Sequence, residues 1–313
     1  MIITVTTNPS IDRTVAVNDL VLGGVNRGDL SAIDPGGKGV NVSRALAAYG
    51  AETHAVLVCG DLGSQWFAKK LNENNVPHTV IKAEGITRSN VTLQESDGTV
   101  TKINEPGFEL SDEVIHQLHQ TLENLNLKNN WVVLAGRLNP GADVNTYLQL
   151  AQFARFQGAK IAIDGSGAEF REALKANPEL IKPNQFELAE LVGRPLKTIH
   201  DVIGAAREVI DGGVEQVLCS LGKDGAILVT KDEVMHCEPE QSAMGTPVGA
   251  GDILLAIYLG GGARPSALKD AIAWSAASVP LPGTAIPTPA QAAAVGVKVN
   301  EVPKDSRELA EVH

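Results

Sequence analysis

The 313-residue sequence is poor in aromatic side chains, which make up 4% of it, so its core must be built mainly from Val, Leu, Ile and Ala. Cysteine is scarce too: Cys59, Cys219 and Cys237 are far apart and form no C-x-x-C pair. That argues against a disulfide framework or a cysteine zinc site and leaves reduced thiols on core strands as the expectation. No apolar run approaches the roughly 20 residues a spanning helix needs. The N-terminus shows no basic segment leading into an apolar signal core. A cytoplasmic protein with no membrane partner is therefore expected. An excess of basic charge is also missing. The formal net charge is -11, which gives no global basic face and no nucleic-acid partner. Small anions remain admissible, because a few Lys, Arg and backbone N–H groups bind them locally even in an acidic protein.

Several catalytic signatures are absent. There is no G-x-x-x-x-G-K-[ST], no H-E-x-x-H and no G-x-S-x-G, and GAGDIL has Leu254 where a third glycine would complete G-x-G-x-x-G. Walker ATPases, ordinary dinucleotide dehydrogenases, zincins and serine hydrolases lose their usual support.

What is present is alternation. Apolar β-rich runs at 2–8, 55–60, 78–83, 131–136, 159–165, 179–184, 216–222 and 226–230 read as strands. Helical stretches at 40–49, 64–74, 112–125, 143–157, 200–211 and 267–279 lie among them. Several strands are almost wholly apolar, as parallel strands covered on both faces are. This predicts an α/β chain, one domain over 1–313, with a doubly wound, mostly parallel sheet. Two segments, 14–33 and 90–105, alternate in polarity without an intervening helix, and the second turns at Asp97-Gly98. They read as one small antiparallel sheet: either surface hairpins or a lid. The charged stretch 302–313 reads as a loosely held tail.

Chemistry concentrates in a few segments. In TPVGAGDILLAIYL (246–259), Gly249, Ala250 and Gly251 open an apolar helix with Asp252 in its first turn. Backbone N–H groups at such a start approach an anion closely. That effect is worth about 0.3–2 kcal/mol, against roughly 8 kcal/mol or more of catalysis, so it needs help. Asp252 at its edge supplies a general base; read blandly, it is an acidic residue at a helix start. A second glycine cluster, DPGGKGVNVSRALAAYG (34–50), carries Gly37, Lys38 and Asn41 into an amphipathic helix. Asp12 follows the first strand and its Asn8-Pro9 turn, at a strand end where α/β proteins bind ligands. In KPNQFEL (182–188), Asn184 and Glu187 are three apart, which favours a capping box. SLGKDGAIL (220–228) reads as a hairpin turning through Lys223-Asp224-Gly225.

Taken in order, TTNPSIDRTV, PGGKGVNVSRAL, TRSNVTLQE, KPNQFEL, SLGKDGAIL and VGAGD resemble the ribokinase family in its phosphofructokinase B branch. The likeness spans nearly the whole chain. Its N-P-x-x-D, Arg-x-Asn and late PGTAIPTP segments are most similar to those of bacterial 1-phosphofructokinases. The resemblance implies a three-layer, ribokinase-like α/β fold. It also implies a small β-lid, from insertions 13–34 and 88–106, that pairs in a homodimer.

Position by position, it implies Asp252 as catalytic base and the amides of Gly249, Ala250 and Gly251 as the anion hole. Asp12, Gly37, Lys38 and Asn41 would hold the sugar, and Arg88 its existing phosphate, with Arg137 a further phosphate contact. Lys182, Asn184 and Glu187 would lie at the nucleotide phosphates, Glu187 ordering Mg2+ through water. Ser220, Gly222 and Gly225 would line the nucleotide, with Ala271 to Ser278 behind the adenine. Pro247-Val248, Ile253, Arg137 and Asn139 depart from the family's usual residues. The implied activity is ATP- and Mg2+-dependent phosphorylation of a sugar phosphate, with fructose 1-phosphate first. Tagatose 6-phosphate and fructose 6-phosphate are the alternative acceptors. A sensor without turnover and an oxidoreductase are the readings from other classes.

Overall fold

The computed structural model describes residues 1–61, 63–245, 248–300 and 308–309. In chain order the strands are β1 (Ile2–Thr6), β2 (Ser10–Val17), β3 (Asp29–Gly36), β4 (Thr53–Cys59), β5 (His78–Lys82), β6 (Arg88–Glu95) and β7 (Val100–Asn104). They continue with β8 (Trp131–Ala135), β9 (Lys160–Asp164), β10 (Leu180–Ile181), β11 (Gln216–Ser220), β12 (Ala226–Thr230), β13 (Val234–Pro239) and β14 (Val297–Asn300). A ten-stranded sheet has the order β14-β13-β12-β11-β10-β9-β8-β1-β4-β5, and a four-stranded sheet the order β3-β2-β6-β7.

The large sheet is parallel from β5 across to β11 and antiparallel from there to β14. Helices cover both its faces, which is why runs such as WVVLA are apolar throughout. On one face, helices Asp112–Asn124, Thr146–Phe156 and Ile199–Asp211 pack over Ile3, Val56, Val132 and Ile161. On the other, Lys38–Tyr49, Ala250–Gly260 and Leu268–Ser278 pack over Ile2, Val133, Ala162 and Leu218. This is the expected three-layer arrangement. All three cysteines are free and buried in it. No helix among the described residues is long and apolar enough to cross a membrane.

Sheet order reverses at β1. The chain goes from β1 to β4 and β5 on one side, then returns to β8 and β9 on the other. The crevice outside the carboxyl ends of β1 and β8 is thus a topological switch point, where open α/β sheets bind ligands.

Some elements differ from the sequence reading. The strand expected at 179–184 shrinks to Leu180–Ile181, because Pro183 has no N–H for the ladder and Asn184 already caps the next helix. The helix Gly167–Ala173 and strands β13 and β14 were not among the expected elements. In the small sheet each hairpin is antiparallel, but β2 and β6 join in parallel register from Ser10↔Arg88 to Val17↔Glu95. Both strands leave the large sheet at its carboxyl edge, so they point the same way. Asp12 consequently sits within β2 of the lid, rather than at the mouth of β1. Apart from Glu308 and Leu309, the charged tail lies outside the described residues.

Candidate active site

The helix Ala250–Gly260 starts on Gly249, whose φ of 78° lies in the left-handed region that favours glycine. Among the described residues no side-chain hydrogen bond caps this helix, which leaves its first-turn N–H groups open to an anion. Asp252, in that first turn, is only 7% exposed. Asn41 Nδ2 donates to its Oδ2 at 2.8 Å. Burial, reinforced by the negative charge of Asp164, pushes the Asp252 carboxyl up to about 6; Lys38, the Asn41 hydrogen bond and Lys182 hold it from going higher.

Asp164 closes β9 and is fully buried. It accepts from Lys38 Nζ at 2.8 Å and pairs with Lys182 Nζ at 3.3 Å. Burial alone would raise this carboxyl, but Lys182 and Lys38 together hold it below the usual range. Burial likewise opposes the charge on Lys38, and Asp164, Glu187 and Asp252 reverse that, lifting its pKa. The two buried carboxylates thus shift in opposite directions: the lysines lower both, but at Asp252 burial and the charge of Asp164 outweigh them. A Cβ at Gly251 would stand 3.2 Å from Lys182 Nζ, which places this ammonium beside the helix start.

Glu187 completes the cluster. Its backbone N–H donates to Asn184 Oδ1 and its Oε2 accepts from the Asn184 N–H, both at 2.8 Å, so the capping box is present. The other oxygen lies 3.8 Å from Lys38 Nζ. Among the described residues no group of three or more side chains forms a metal cage. The free edge of Glu187 suits an ion that keeps most of its water and phosphate ligands, as Mg2+ does.

The lid supplies the other half. Ser10 Oγ and Asn90 Nδ2 donate to Asp12 Oδ1 at 2.7 and 2.9 Å. Burial raises Asp12, while these bonds and Arg88 oppose the rise. Asp12 packs so closely on the backbone of Gly36 that a Cβ there would lie 2.2 Å from its carboxylate. Gly37 follows as the N-cap of the helix that carries Lys38 and Asn41. Arg88 Nε donates to the Asn8 carbonyl at 3.2 Å and its Nη1 to the Glu105 carbonyl at 3.3 Å. Among the described residues no carboxylate lies within ion-pair distance of Arg88. Its charge is disfavoured by burial, supported by Asp12 and further opposed by nearby Arg137. Arg137 is exposed.

A cleft of roughly 390 Å³ separates the inner face of the lid (Asp12, Asn90, Lys102) from Val248, Gly283 and Thr284. Asp252 and Arg88 do not line it. Thr284 links the cleft to the helix start, since a Cβ at Gly249 would lie 3.8 Å from both Thr284 and Asn41 Nδ2.

The residues expected at the nucleotide gather at one edge. Lys182 follows β10, and Asn184 bridges Ser220 in parallel. Gly222 opens a 3-10 turn that runs to Asp224, after which Gly225 leads into the antiparallel return. Gly225 also has a packing reason, because a Cβ there would lie 2.0 Å from the Cys237 carbonyl oxygen. Behind the helix start, Ser275 Oγ donates to the Ala250 carbonyl at 2.9 Å, which puts helix Leu268–Ser278 against it. Of the departures, Ile253 is core, Asn139 braces the Phe108 carbonyl at 3.0 Å, and Thr246 and Pro247 lie outside the described residues.

Residues 5–291 match the pfkB family of carbohydrate kinases. The chain belongs to this family. The 1-phosphofructokinase of Bacillus subtilis is 33% identical over 87% of this chain and 88% of its own. That of Rhodobacter capsulatus is 36% identical, over 82% of this chain and 81% of its own. Phosphofructokinase-2 from Escherichia coli, in a crystal structure with substrates and products, superposes with a TM-score of 0.88 at 29% identity, covering 93% of this chain and 97% of that one.

For a pfkB kinase, the sequence reading missed one central residue, Asp164. The available signal was an acid closing the otherwise apolar strand AKIAID at its carboxyl end, where charge belongs to a site rather than to a core.

Proposed function

We propose that this pfkB kinase transfers the γ-phosphoryl group of ATP to a primary hydroxyl of a phosphorylated ketohexose, with fructose 1-phosphate as acceptor and fructose 1,6-bisphosphate as product. The observation that carries the reading is the buried, upward-shifted Asp252 carboxylate beside an uncapped helix start and a lysine–carboxylate cluster. A base whose pKa lies near the working pH takes a proton most effectively.

The acceptor O–H proton goes to Asp252 while its oxygen forms the new bond to Pγ. The bond from Pγ to the bridging oxygen breaks, and ADP leaves. The N–H groups at Gly249, Ala250 and Gly251, with Lys38 and Lys182, offset charge on the equatorial oxygens. Mg2+, ordered through water by Glu187, would neutralise nucleotide phosphate charge when bound. Lys182, Asn184, Ser220, Gly222 and Gly225 serve the nucleotide. Asp12, Gly37 and Asn41 orient the sugar. Arg88, anchored by two carbonyls and with no carboxylate at ion-pair distance among the described residues, takes the existing phosphate with Arg137.

The likeness to Escherichia coli phosphofructokinase-2, which has a crystal structure in complex with fructose-6-phosphate, favours a second acceptor, fructose 6-phosphate. Initial rates with ATP and Mg2+ on fructose 1-phosphate, fructose 6-phosphate and tagatose 6-phosphate separate these. The highest kcat/KM should fall on fructose 1-phosphate, and a preference for a 6-phosphate would overturn the assignment. Absence of ADP release with all three would leave a ligand sensor as the better account.

The working compartment is the cytoplasm, and the outer face of the lid pairs two copies. That face carries Val15, Leu30, Val91 and Ile103, with Leu30 and Ile103 about half exposed. Sedimentation of the wild type against Ile103→Asp tests the pairing.

A further inference from the structure

Arg44 is 6% exposed, and among the described residues no carboxylate lies within ion-pair distance of it. A guanidinium buried this way is costly unless its donors are used. Its Nη1 donates to Thr284 Oγ1 at 3.1 Å, to the Thr284 carbonyl at 3.2 Å and to Asn41 Oδ1 at 3.4 Å. Its Nε has no hydrogen-bond partner among the described residues. Burial opposes its charge, while Asp34 on β3 and Asp12 on β2 support it from the lid. Asp34 Oδ2 also accepts from the Thr284 N–H at 3.2 Å. The contacts form one line: lid carboxylate, Thr284, Arg44, Asn41, Asp252.

An asparagine carboxamide has two nearly isosteric ends, a carbonyl oxygen and an NH2 group, and its neighbours decide which way each points. Here one neighbour is a donor-only guanidinium and the other a carboxylate. We propose that Arg44 is a positioning residue, which holds the Asn41 oxygen so that the NH2 group faces and aims the Asp252 carboxylate. Without Arg44, the reversed amide accepts a hydrogen bond from protonated Asp252, and that arrangement favours the form of Asp252 unable to take a proton. Thr284 acts as a brace, since its two acceptors keep the guanidinium from swinging away from Asn41. Lys38, Lys182 and Asp164 also face Asp252, but none of them is hydrogen-bonded to Asn41. The inference rests on Asp252 being the base of a sugar-phosphate kinase.

The test is a double-mutant cycle on the full-length enzyme, with kcat and both KM values read for each variant. Arg44→Met should lower kcat by about 10- to 100-fold, the effect expected for loss of a hydrogen bond to a charged group. Both KM values should stay within about threefold, because a uniform binding loss would move KM and this does not. In an Asn41→Ala background the same change should cost nothing further, since the amide it orients is gone. Arg44→Lys, which keeps a donor, should recover part of kcat. If Arg44→Met fails to fold, the cycle is run with Arg44→Lys, which should lower kcat when Asn41 is present and not when it is Ala. Wild-type kcat in a folded Arg44→Met, or an equal loss with and without Asn41, would overturn the inference. Absence of turnover in the wild type itself would instead overturn the kinase reading.

Discussion

In the ten-stranded sheet Leu57, Leu134 and Ile161 are fully buried, whereas in the four-stranded lid Leu30 and Ile103 remain 51% and 56% exposed. The large sheet has helices on both faces; the lid has a polar inner face over the cleft and an outer face on which Leu30 and Ile103 stand beside Val15 and Val91. Buried apolar area holds an element in place, and an element with little of it opens at low cost. The same contrast runs through the charges. Asp164 and Asp252, on the large domain, are desolvated and shifted, one down and the other up, while Arg88, on the lid, is half-buried and held by carbonyls. In the function proposed above, proton transfer falls to the more tightly packed part and acceptor recognition to the less packed one.

Replacing Asp252 by Asn strikes the rigid part hardest. Turnover should fall by roughly 10²–10⁴. The fold should not suffer, because the native pKa of about 6 lies above the ordinary aspartate value of 3.8, so the ionised group costs native stability once pH exceeds both values. Thermal unfolding of Asp252→Asn at pH 7.5 should therefore occur no lower than in the wild type. By the same sign, wild-type kcat/KM should decline below about pH 6, as the base protonates, and level off above pH 7.

The other predictions grade the contrast downward. Leu57→Ala should cost about 2–5 kcal/mol in denaturant unfolding, because a fully packed site leaves a cavity. Arg88→Ala should reduce kcat/KM for the sugar phosphate by roughly 10- to 100-fold, mostly through KM, with the KM for ATP little changed. Loss in the ATP KM instead would move Arg88 out of the acceptor site. Leu30→Ser should shift monomer stability by no more than about 0.5 kcal/mol, and a cost like that of Leu57→Ala would show that the lid is packed as a core element.

Much of this was legible in the residues. The apolar strands and amphipathic helices announced a doubly wound sheet, since a strand covered on both faces has no polar side to show. The turn at Asp97-Gly98 announced a hairpin, and Gly98 does take a φ of 92°. KPNQFEL announced the capping box that joins Asn184 and Glu187. What escaped were features that depend on partners distant in the chain. β14 pairs only after β13 has been set beside it, and Asp164 reads as an ordinary strand-end acid until Lys38, 126 positions away, arrives at it.

Local sequence by itself determined most of the strands and helices of the large sheet, where glycine admits a left-handed helix start, and where a cap closes one. Periodicity and turn chemistry act over a few residues, so a linear reading captures them. Tertiary structure alone decided that Asn41 meets Asp252 across 211 positions, that of two buried carboxylates beside the same lysines one is raised and the other lowered, and that the two hairpins join in parallel. Desolvation and Coulomb energies depend on distance in space, and only the folded chain sets those distances.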